Sequence, residues 1–387
     1  MKTRILLLIA GALVACGTVI RAADGASKGG KKSNGPDLFA EPKVHDVRID
    51  LSEAAVESLR KDPKRYVKAN VQCGGQTFAD TGLRLKGSAA FEGLEKRPGL
   101  MLKFDEFVKD QEWQGRGRVL LNSARQDPTF LCEALGGELF RASGVPAAKV
   151  TYATVRAGGK PIGLYVVAEA ANKSFLSQHF KKTKGNLYEG SKNDITDKLE
   201  KDGGDDSAEQ VDLRALAETL KEPDMDARWR RATPLLDLER FAAFAAVEVL
   251  TGHHDGYTMD RNNYRLYNDP ASGQFVFLPH DLDKLFPKAD EPLFPEWKGL
   301  VAKSILSLPA GRKLYLKQMA ALMSGAFKPE TMQQRITELA AIIRPALSAG
   351  DSTALKAFDD SVAQLKAAVA ARHAFLVAQL KSTAAKE

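Results

Sequence analysis

The chain has 387 residues, of which 44% are hydrophobic, and this composition is ordinary for a globular protein with a sizeable core. The formal net charge of +7 is a mild excess, and the Lys and Arg residues are scattered without an aromatic-interleaved basic patch, which argues against a nucleic-acid-binding protein. Beyond the first twenty residues, no apolar run reaches the roughly 18 residues that a membrane span needs.

The first 22 residues have the pattern of an export signal, in which Lys2 and Arg4 form a charged start and a short apolar stretch follows. Two ends of this signal fit the sequence. The residues before Cys16 resemble a bacterial lipoprotein box, which would leave an acylated Cys16 as a lipid anchor. Cleavage after Ala22 would instead release a soluble protein, and the apolar stretch favours this end because it continues past Cys16. Both predict an exported protein, periplasmic or extracellular.

Residues 23–43 are rich in Gly, Ser and Lys and predict a flexible linker, so the folded domain is expected at 44–385. The first half of this domain has the alternating apolar pattern of strands, together with turn residues between them. The predicted strands are 44–51, 67–71, 76–86, 100–104, 149–156 and 162–169. The predicted helices in this half are 53–60, 127–143 and 173–180.

Residues 184–206 are predicted to be loop, and the chain is mostly helical from Val211 onward, apart from one hairpin. The segment 236–250 is apolar nearly all round, which predicts a buried helix. Three amphipathic helices rich in Ala and Leu are expected last, at 301–326, 329–347 and 351–381. Cys73 and Cys132 are the other two cysteines; in an oxidising compartment they either form a disulfide or stay as buried free thiols.

The hairpin gathers hard oxygen ligands at one end. Two short strands, 264–267 and 274–278, flank a turn of Asn, Asp, Pro and Gly residues. An antiparallel return brings the outer ends of the strands together. The polar residues at that end are Asp255, Asp260, Asn262, Asn263, Asp281 and Asp283.

Such a cluster suits Mg²⁺ held by one or two carboxylates and a substrate phosphate. The order of acid, Asn, hairpin and Asp is also that of a protein-kinase core, although the literal kinase spacings are not met. A structural role for the whole cluster is the alternative, because Asp and Asn are common turn residues. Upstream, the small-residue loop 84–91 has cations on either side and is either a plain turn or a loop that covers phosphates.

Several short motifs follow one another in a fixed order along the chain. They are Arg-Leu-Lys-Gly-Ser at 84–88, Lys-Arg-Pro at 96–98, Leu-Lys-Phe at 102–104, Asn122, Asp-Pro at 127–128, Gly-Leu-Tyr-Val-Val-Ala-Glu at 163–169, Lys-Ser-Phe-Leu at 173–176, Asn-Leu-Tyr-Glu-Gly at 186–190, Asp255, Asn-Tyr-Arg-Leu-Tyr at 263–267 and Pro-His-Asp-Leu-Asp at 279–283. Together they resemble the spore coat protein H (CotH) family of atypical exported kinases, over about residues 44–380.

The resemblance implies an α+β, protein-kinase-like domain with a β-rich N-terminal part and a mostly helical C-terminal part. It implies ATP and Mg²⁺ as cofactors, with Mn²⁺ as a substitute, and a protein Ser or Thr hydroxyl as the phosphate acceptor. Asp255 matches the catalytic acid, and Asn263, Asp281 and Asp283 match the metal-binding positions. The ATP-binding candidates are Lys86, Ser88, Lys96 and Glu169. Which lysine contacts the phosphates stays open.

Two departures from the family pattern concern the site itself. Lys86 stands where the family loop usually has Arg, so a point charge replaces a bidentate fork. His280 replaces the Trp of the family's Pro-Trp-Asp-Leu-Asp motif.

Two other functions remain to be tested against the structure. A metal-dependent hydrolase would use His253, His254, His280 and Asp281, and imidazole ligands favour Zn²⁺ or Fe. The third hypothesis is an envelope protein that keeps a kinase-like fold as a binding or assembly module without turnover.

Overall fold

Residues 37–87, 91–204, 209–348 and 352–385 are described by the computed structural model of the protein. The predicted leader, Cys16 and most of the predicted linker lie outside the described residues. The described residues belong to one compact unit. Among them, no helix has both the length and the apolar character needed to cross a membrane.

Seven strands in the first half of the chain close into a barrel, in the order β1-β2-β3-β4-β5-β7-β6. The strands are β1 (Val44–Leu51), β2 (Val67–Cys73), β3 (Gln76–Leu85), β4 (Leu100–Lys103), β5 (Arg118–Asn122), β6 (Val150–Ala157) and β7 (Lys160–Glu169). Neighbouring strands are antiparallel except at the closure, where β1 runs parallel to β6.

Side-chain alternation along the strands fills the barrel. In β1 and β2 every second residue is buried, so Val47, Ile49, Val71 and their neighbours form a core separate from that of the helical part. Helix α1 (Glu53–Lys61) lies between these strands, and the Ser52 side chain caps it by accepting from the Ala55 amide at 3.2 Å. The strands expected in this half are confirmed, and β5 was missed.

Helix α2 (Cys132–Ala142) starts five residues later than predicted. Asp127 does not enter the helix, because its buried carboxylate accepts from the amides of Thr129 and Cys132 at 2.9 and 2.8 Å. The residues from Asp127 to the helix therefore form a capping turn. The Asp127 side chain thus fixes where α2 begins. Glu133 lies in the first turn of α2.

A second sheet follows the barrel, in the order β11-β10-β8-β9. Its central hairpin, β10 (Tyr264–Asp269) and β11 (Gln274–Pro279), agrees with the prediction. The expected loop at 184–206 is wrong, because β8 (Leu187–Gly190) pairs with β10 and β9 (Glu200–Gly203) pairs with β8. These two strands are only four residues long and carry charged residues, so a pattern of alternating apolar residues does not reveal them.

The remaining regular elements are helices. They are α3 (Lys173–His179), α4 (Val211–Leu220), α5 (Met225–Ala232), α6 (Leu238–Thr251), α7 (Tyr257–Asp260), α8 (Leu300–Leu306), α9 (Pro309–Ser324), α10 (Pro329–Ser348) and α11 (Ser352–Ala384). Helix α6 is buried on nearly all sides, as predicted. The helix expected at 301–326 is two helices, because the chain turns at Leu308 and Pro309 starts a new one. The expected division into a β-rich part and a mostly helical part is confirmed.

Cys73 and Cys132 are both buried and both free, so the disulfide considered from sequence is wrong. Cys73 lies in the barrel core, and Cys132 opens α2. Burial raises the pKa of the Cys73 thiol to about 12, and it also raises the pKa of Cys132. Both thiols are therefore protonated and unreactive at neutral pH.

We expect Asp127→Ala to lower the free energy of unfolding by about 3 kcal/mol, because it leaves two buried amides without an acceptor. Asp224→Ala is the matched control, since Asp224 caps α5 in the same way at 2.6 Å but is exposed. Its loss should cost only about 1 kcal/mol. Urea denaturation of both variants measures the difference. Equal losses would contradict the role assigned to the buried cap.

Candidate functional site

A cleft runs between the barrel and the second sheet. It consists of two adjoining pockets of about 360 and 340 Å³. The residues that line both pockets are Lys86, Gly87, Glu189, Ser191 and His280. The first pocket extends toward the chain segment that joins the barrel to the helical part, and the second holds the carboxylates at the end of the hairpin. Lys86 therefore lies where the two halves of the cleft meet.

The hairpin brings Asn263 and Asp281 to the same end, as its antiparallel register requires. Tyr264 pairs with Pro279, and the His280 amide donates to the Asn263 carbonyl at 3.0 Å. Asn263 and Asp281 both have positive φ values, 47° and 54°, which Asn and Asp tolerate better than most residues. These turns aim both side chains into the second pocket, and Asp283 lines the same pocket.

Lys86 crosses the cleft and makes the central contact of the site. Its Nζ donates to Oδ1 of Asp281 at 2.7 Å and to Oδ1 of Asn122 at 2.9 Å. The Lys86 side chain is 15% exposed. Lys86 follows directly after β3, Asn122 ends β5, and Asp281 follows β11. One ammonium group thus joins the barrel to the hairpin.

Glu133 stands behind this contact. It is buried at the start of α2, and it accepts from Nδ2 of Asn122 at 3.0 Å. Asn122 therefore hydrogen-bonds to both groups: it donates to the Glu133 carboxylate on α2 and accepts from the Lys86 ammonium in the cleft. Sequence analysis placed Asn122 in a motif but gave it no role, because the strand that it ends was missed. A short apolar run that ends in Asn was the available signal.

The carboxyl groups around Lys86 differ in proton affinity. Burial acts to raise the pKa of Asp281. The Lys86 ammonium, together with other nearby groups, lowers it by more than burial raises it, and the pKa of Asp281 is about 2. Burial, and then the negative charge of Asp281, raise the pKa of Asp283 to about 6. Burial raises the pKa of Glu133 to about 7, although Lys86 opposes this. Direct contact with Lys86 keeps Asp281 ionised, whereas the other two carboxyls share less of that charge.

Asp255 lies on the loop between α6 and α7. Gly252, with φ of 63°, ends α6 in the left-handed conformation that Gly allows. The buried carboxylate of Glu248 then fixes the far side of the loop, accepting from the amides of Tyr257 and Thr258 at 2.8 Å each. Asp255 does not line either pocket of the cleft, and its charge contributes to the raised pKa of Asp283.

Two predicted ATP-binding residues, Lys96 and Glu169, line neither pocket of the cleft. Lys96 is exposed on the 3₁₀ turn Leu94–Lys96 and lines neither pocket, and its carbonyl accepts from Arg125. Glu169 is buried behind the cleft, accepts from Nε2 of Gln178 at 2.6 Å and pairs with Arg116 at 3.4 Å. Ser88 lies outside the described residues.

The linker after Glu169 does reach the cleft. Ala170 and Ala171 line the first pocket, directly after the end of β7. The two residues after Glu169 therefore line the cleft, and Glu169 itself does not.

The three histidines of the hydrolase hypothesis lie in different surroundings. His253 is buried, and burial lowers its pKa to about 4. His254 is partly exposed and pairs with Glu291. His280 contacts Nη1 of Arg265 through Nδ1 at 3.2 Å. Within the described ranges, no group of three or more His, Cys, Asp or Glu is placed to hold a metal ion, so this geometry does not support a histidine-rich zinc or iron site.

Comparisons with known proteins give a family. The family model described as CotH kinase protein matches residues 83–376. Inner spore coat protein H of Bacillus subtilis (strain 168) is 23% identical over 332 residues, which cover 80% of this chain and 86% of that protein. Invasin CotH2 of Rhizopus delemar is 25% identical over 341 residues, which cover 81% of this chain and only 56% of that protein.

Two solved structures resemble the chain weakly. The Helicobacter pylori proinflammatory kinase CtkA has a TM-score of 0.35 and 11% identity, covering 76% of this chain and 94% of its own. A chain of the Shewanella oneidensis MR-1 toxin–antitoxin complex of HipA, HipB and operator DNA has a TM-score of 0.38 and 14% identity, covering 90% of this chain and 75% of its own. No residue assignment follows from scores this low.

We expect Lys86→Met to remove the stabilisation that Asp281 gains from ionisation. The folded pKa of Asp281 is about 2, below the ordinary 3.8, so this stabilisation is full above pH 4 and is lost as the pH falls toward 2. The difference in free energy of unfolding between wild type and Lys86→Met should therefore be largest above pH 4 and shrink toward pH 2. Urea denaturation across this range measures it.

Lys68→Met is the control, because the Lys68–Asp80 pair is similar in length, 3.0 Å, but exposed. It should change stability by less than about 1 kcal/mol at every pH. A Lys86→Met effect that does not vary between pH 4 and pH 2 would contradict the assigned ion pair.

Proposed function

The chain belongs to the CotH kinase family, and we propose that it transfers the γ-phosphate of ATP to Ser or Thr hydroxyls of a protein, with Mg²⁺ in the cleft. The observation that carries this proposal is the position of Lys86, between Asn122 and Asp281 and at the meeting point of the two pockets. Phosphoryl transfer needs a cation beside the phosphates and carboxylates for the metal, and this arrangement offers both.

The basic lining of the first pocket supports a polyanionic ligand. Lys64, Arg84, Arg118 and Lys198 line it, and none of them has a carboxylate within 4.0 Å among the described residues. Arg265 pairs with Glu189 and Asp202, and Glu200 is the third acid of the lining, so six basic and three acidic residues leave the pocket a net positive charge. We place the nucleoside in this pocket, beside the apolar groups of Met101 and Leu120 and the linker Ala170–Ala171, with the phosphates extending toward Lys86.

The second pocket has the donor chemistry that a divalent cation requires. Asn263, Asp281 and Asp283 supply one amide and two carboxylate oxygen ligands, the kind that Mg²⁺ and Mn²⁺ prefer. The two carboxylates repel each other, and this repulsion contributes to the raised pKa of Asp283. A divalent cation held by these residues would relieve the repulsion and neutralise charge on the transferred phosphoryl group.

Lys86 is the lysine that we assign to the phosphates. Lys96 is exposed and outside both pockets, whereas the Lys86 ammonium is already held in the cleft by Asn122. Because Glu133 contacts Asn122 and not Lys86, the amide sets the position of the ammonium while leaving its charge for the ligand. A flexible lysine with three donors can turn from Asp281 toward a phosphate without leaving Asn122.

Asp255 is the residue that we assign to the acceptor. The hydroxyl oxygen attacks the γ-phosphorus, the bond from that phosphorus to the bridging oxygen breaks, ADP leaves, and Asp255 accepts the hydroxyl proton. Glu248 and the cap at Gly252 hold the Asp255 loop from both sides. Catalysis in this arrangement is mostly positioning and charge neutralisation.

His280 is compatible with this function although it departs from the family pattern. Its Nδ1 contacts a guanidinium of Arg265, which can only donate, so His280 accepts there. An indole N–H could not accept that bond. Through this hydrogen bond His280 contacts Arg265, and both residues line the first pocket.

We further propose that the protein is exported, on the basis of the leader at residues 1–22. The lipid anchor at Cys16 and the soluble product after Ala22 remain the two alternatives. Relatives named as a spore coat protein and an invasin are consistent with work outside the cytoplasm.

Nucleotide binding is expected to stabilise the protein in the presence of Mg²⁺. At 100 times its Kd, MgATP should add about 2.7 kcal/mol to the free energy of unfolding. The shift should disappear in Asp281→Ala and persist in Asp226→Ala, which changes an exposed acid on α5. Thermal denaturation with and without nucleotide measures it. Equal shifts in both variants would mean that ATP binds elsewhere.

Phosphate transfer is tested with radiolabelled ATP and a protein acceptor, in Mg²⁺ and in Mn²⁺. Asp255→Asn and Asp281→Asn should each lower incorporation by about a hundredfold or more, whereas Asp226→Asn should match wild type. Wild-type protein that binds MgATP but incorporates no label with either metal would favour the module without turnover. Incorporation that survives in Asp281→Asn would exclude the assigned site.

A further inference from the structure

The C-terminal helix reaches the loop that carries Asp255 through one buried arginine. Arg372 lies on α11 and is 1% exposed. Its Nη2 and Nε donate to the carbonyls of Val249 and Leu250 at 2.6 and 3.2 Å. These carbonyls belong to the last turn of α6, which has no basic residue of its own. Arg372 thus supplies the positive charge that a helix C-terminus favours.

The same guanidinium also binds the segment that follows the metal-binding motif. Its Nη1 donates to the carbonyls of Ala289 and Glu291 at 3.0 and 2.5 Å. The planar fork of Arg372 therefore joins the end of α6 to the irregular segment 284–299. Four backbone carbonyls satisfy this buried cation.

Side chains continue the connection from this segment to Asp255. The Glu291 carboxylate, 13% exposed, pairs with His254, the residue directly before Asp255. The Phe286 amide donates to the Thr251 carbonyl at 2.6 Å. A Cβ at Gly252 would lie 3.1 Å from Cδ of Pro287, so the turn before Asp255 already packs against the segment.

We propose that Arg372 is a positioning residue, which clamps the Asp255 loop and the segment 284–299 to each other and so holds Asp255 at the distance from the metal-binding carboxylates that transfer requires. Kinases commonly fix the segment after their metal-binding Asp by phosphorylating it, and an arginine then binds the phosphate. Here a cation from the C-terminal helix binds the backbone of that segment directly. The clamp therefore needs no phosphorylation of the segment.

Only the role in catalysis rests on the proposed function; the clamp itself does not. Arg372 lines neither pocket of the cleft, so it does not contact the proposed nucleotide site. Loss of the fork should thus lower kcat and leave the KM for ATP unchanged. Loss of a residue that only stabilised the fold would lower the amount of active protein. It would not increase mobility specifically in the Asp255 loop and the segment 284–299.

The test compares Arg372→Lys and Arg372→Met with Lys366→Met, which removes a half-buried cation of the same helix whose Nζ donates to Oγ1 of Thr337 on α10 at 2.7 Å, away from the Asp255 loop. Hydrogen exchange of the apo proteins should increase at least severalfold at residues 252–256 and 286–292 in both Arg372 variants. In transfer assays, kcat should fall by about tenfold to a hundredfold, with the KM for ATP within twofold of wild type. Lys366→Met should leave all three quantities unchanged.

Arg372→Lys keeps the buried charge but not the fork, so it remains informative if Arg372→Met does not fold. Exchange that increases only within α11, or equally in Lys366→Met, would overturn the clamp. A folded Arg372→Lys with wild-type kcat would overturn its catalytic role. A wild-type protein without transfer activity would instead end the proposed function, while exchange would still decide for or against the clamp.

Discussion

The contact of the Lys86 ammonium with Asn122 and Asp281 is the interaction on which the site depends. Three elements far apart in sequence must agree for it to form: the end of β3, the end of β5 and the exit of the hairpin. Each end is fixed independently, by barrel closure, by the ladder between β4 and β5, and by the hairpin register. The cleft is therefore placed by backbone pairing, and the side chains complete it.

The Lys86 ammonium lies near three carboxyl groups, and its single charge cannot stabilise the ionised form of all three. Asp281 touches Lys86 and is held ionised, while burial raises the pKa values of Asp283 and Glu133 toward neutrality. A site with excess buried negative charge favours the arrival of further positive charge. The same excess of negative charge explains why Asn122 stands between Glu133 and Lys86: the amide satisfies the buried carboxylate without consuming the ammonium.

The sequence predicted the hairpin and the grouping at its end because register and turn chemistry are local. It also predicted the α+β division and the kinase family, which the family match confirms. It did not reveal β5, β8 or β9, which are four or five residues long. The sequence also did not show that Glu169 contacts Arg116 and Gln178, because such partners are set by tertiary packing.

The parallel pairing of β1 with β6 has a consequence for how the barrel assembles. Val44 lies beside Tyr152, more than a hundred residues later, so the first strand has no partner on that side until most of the barrel has been made. Closing so long a loop costs entropy that only the complete ladder recovers. The first strand keeps one unpaired edge until β6 is available, and the barrel closes only when β7, the last strand in the chain order, joins β6 to β5.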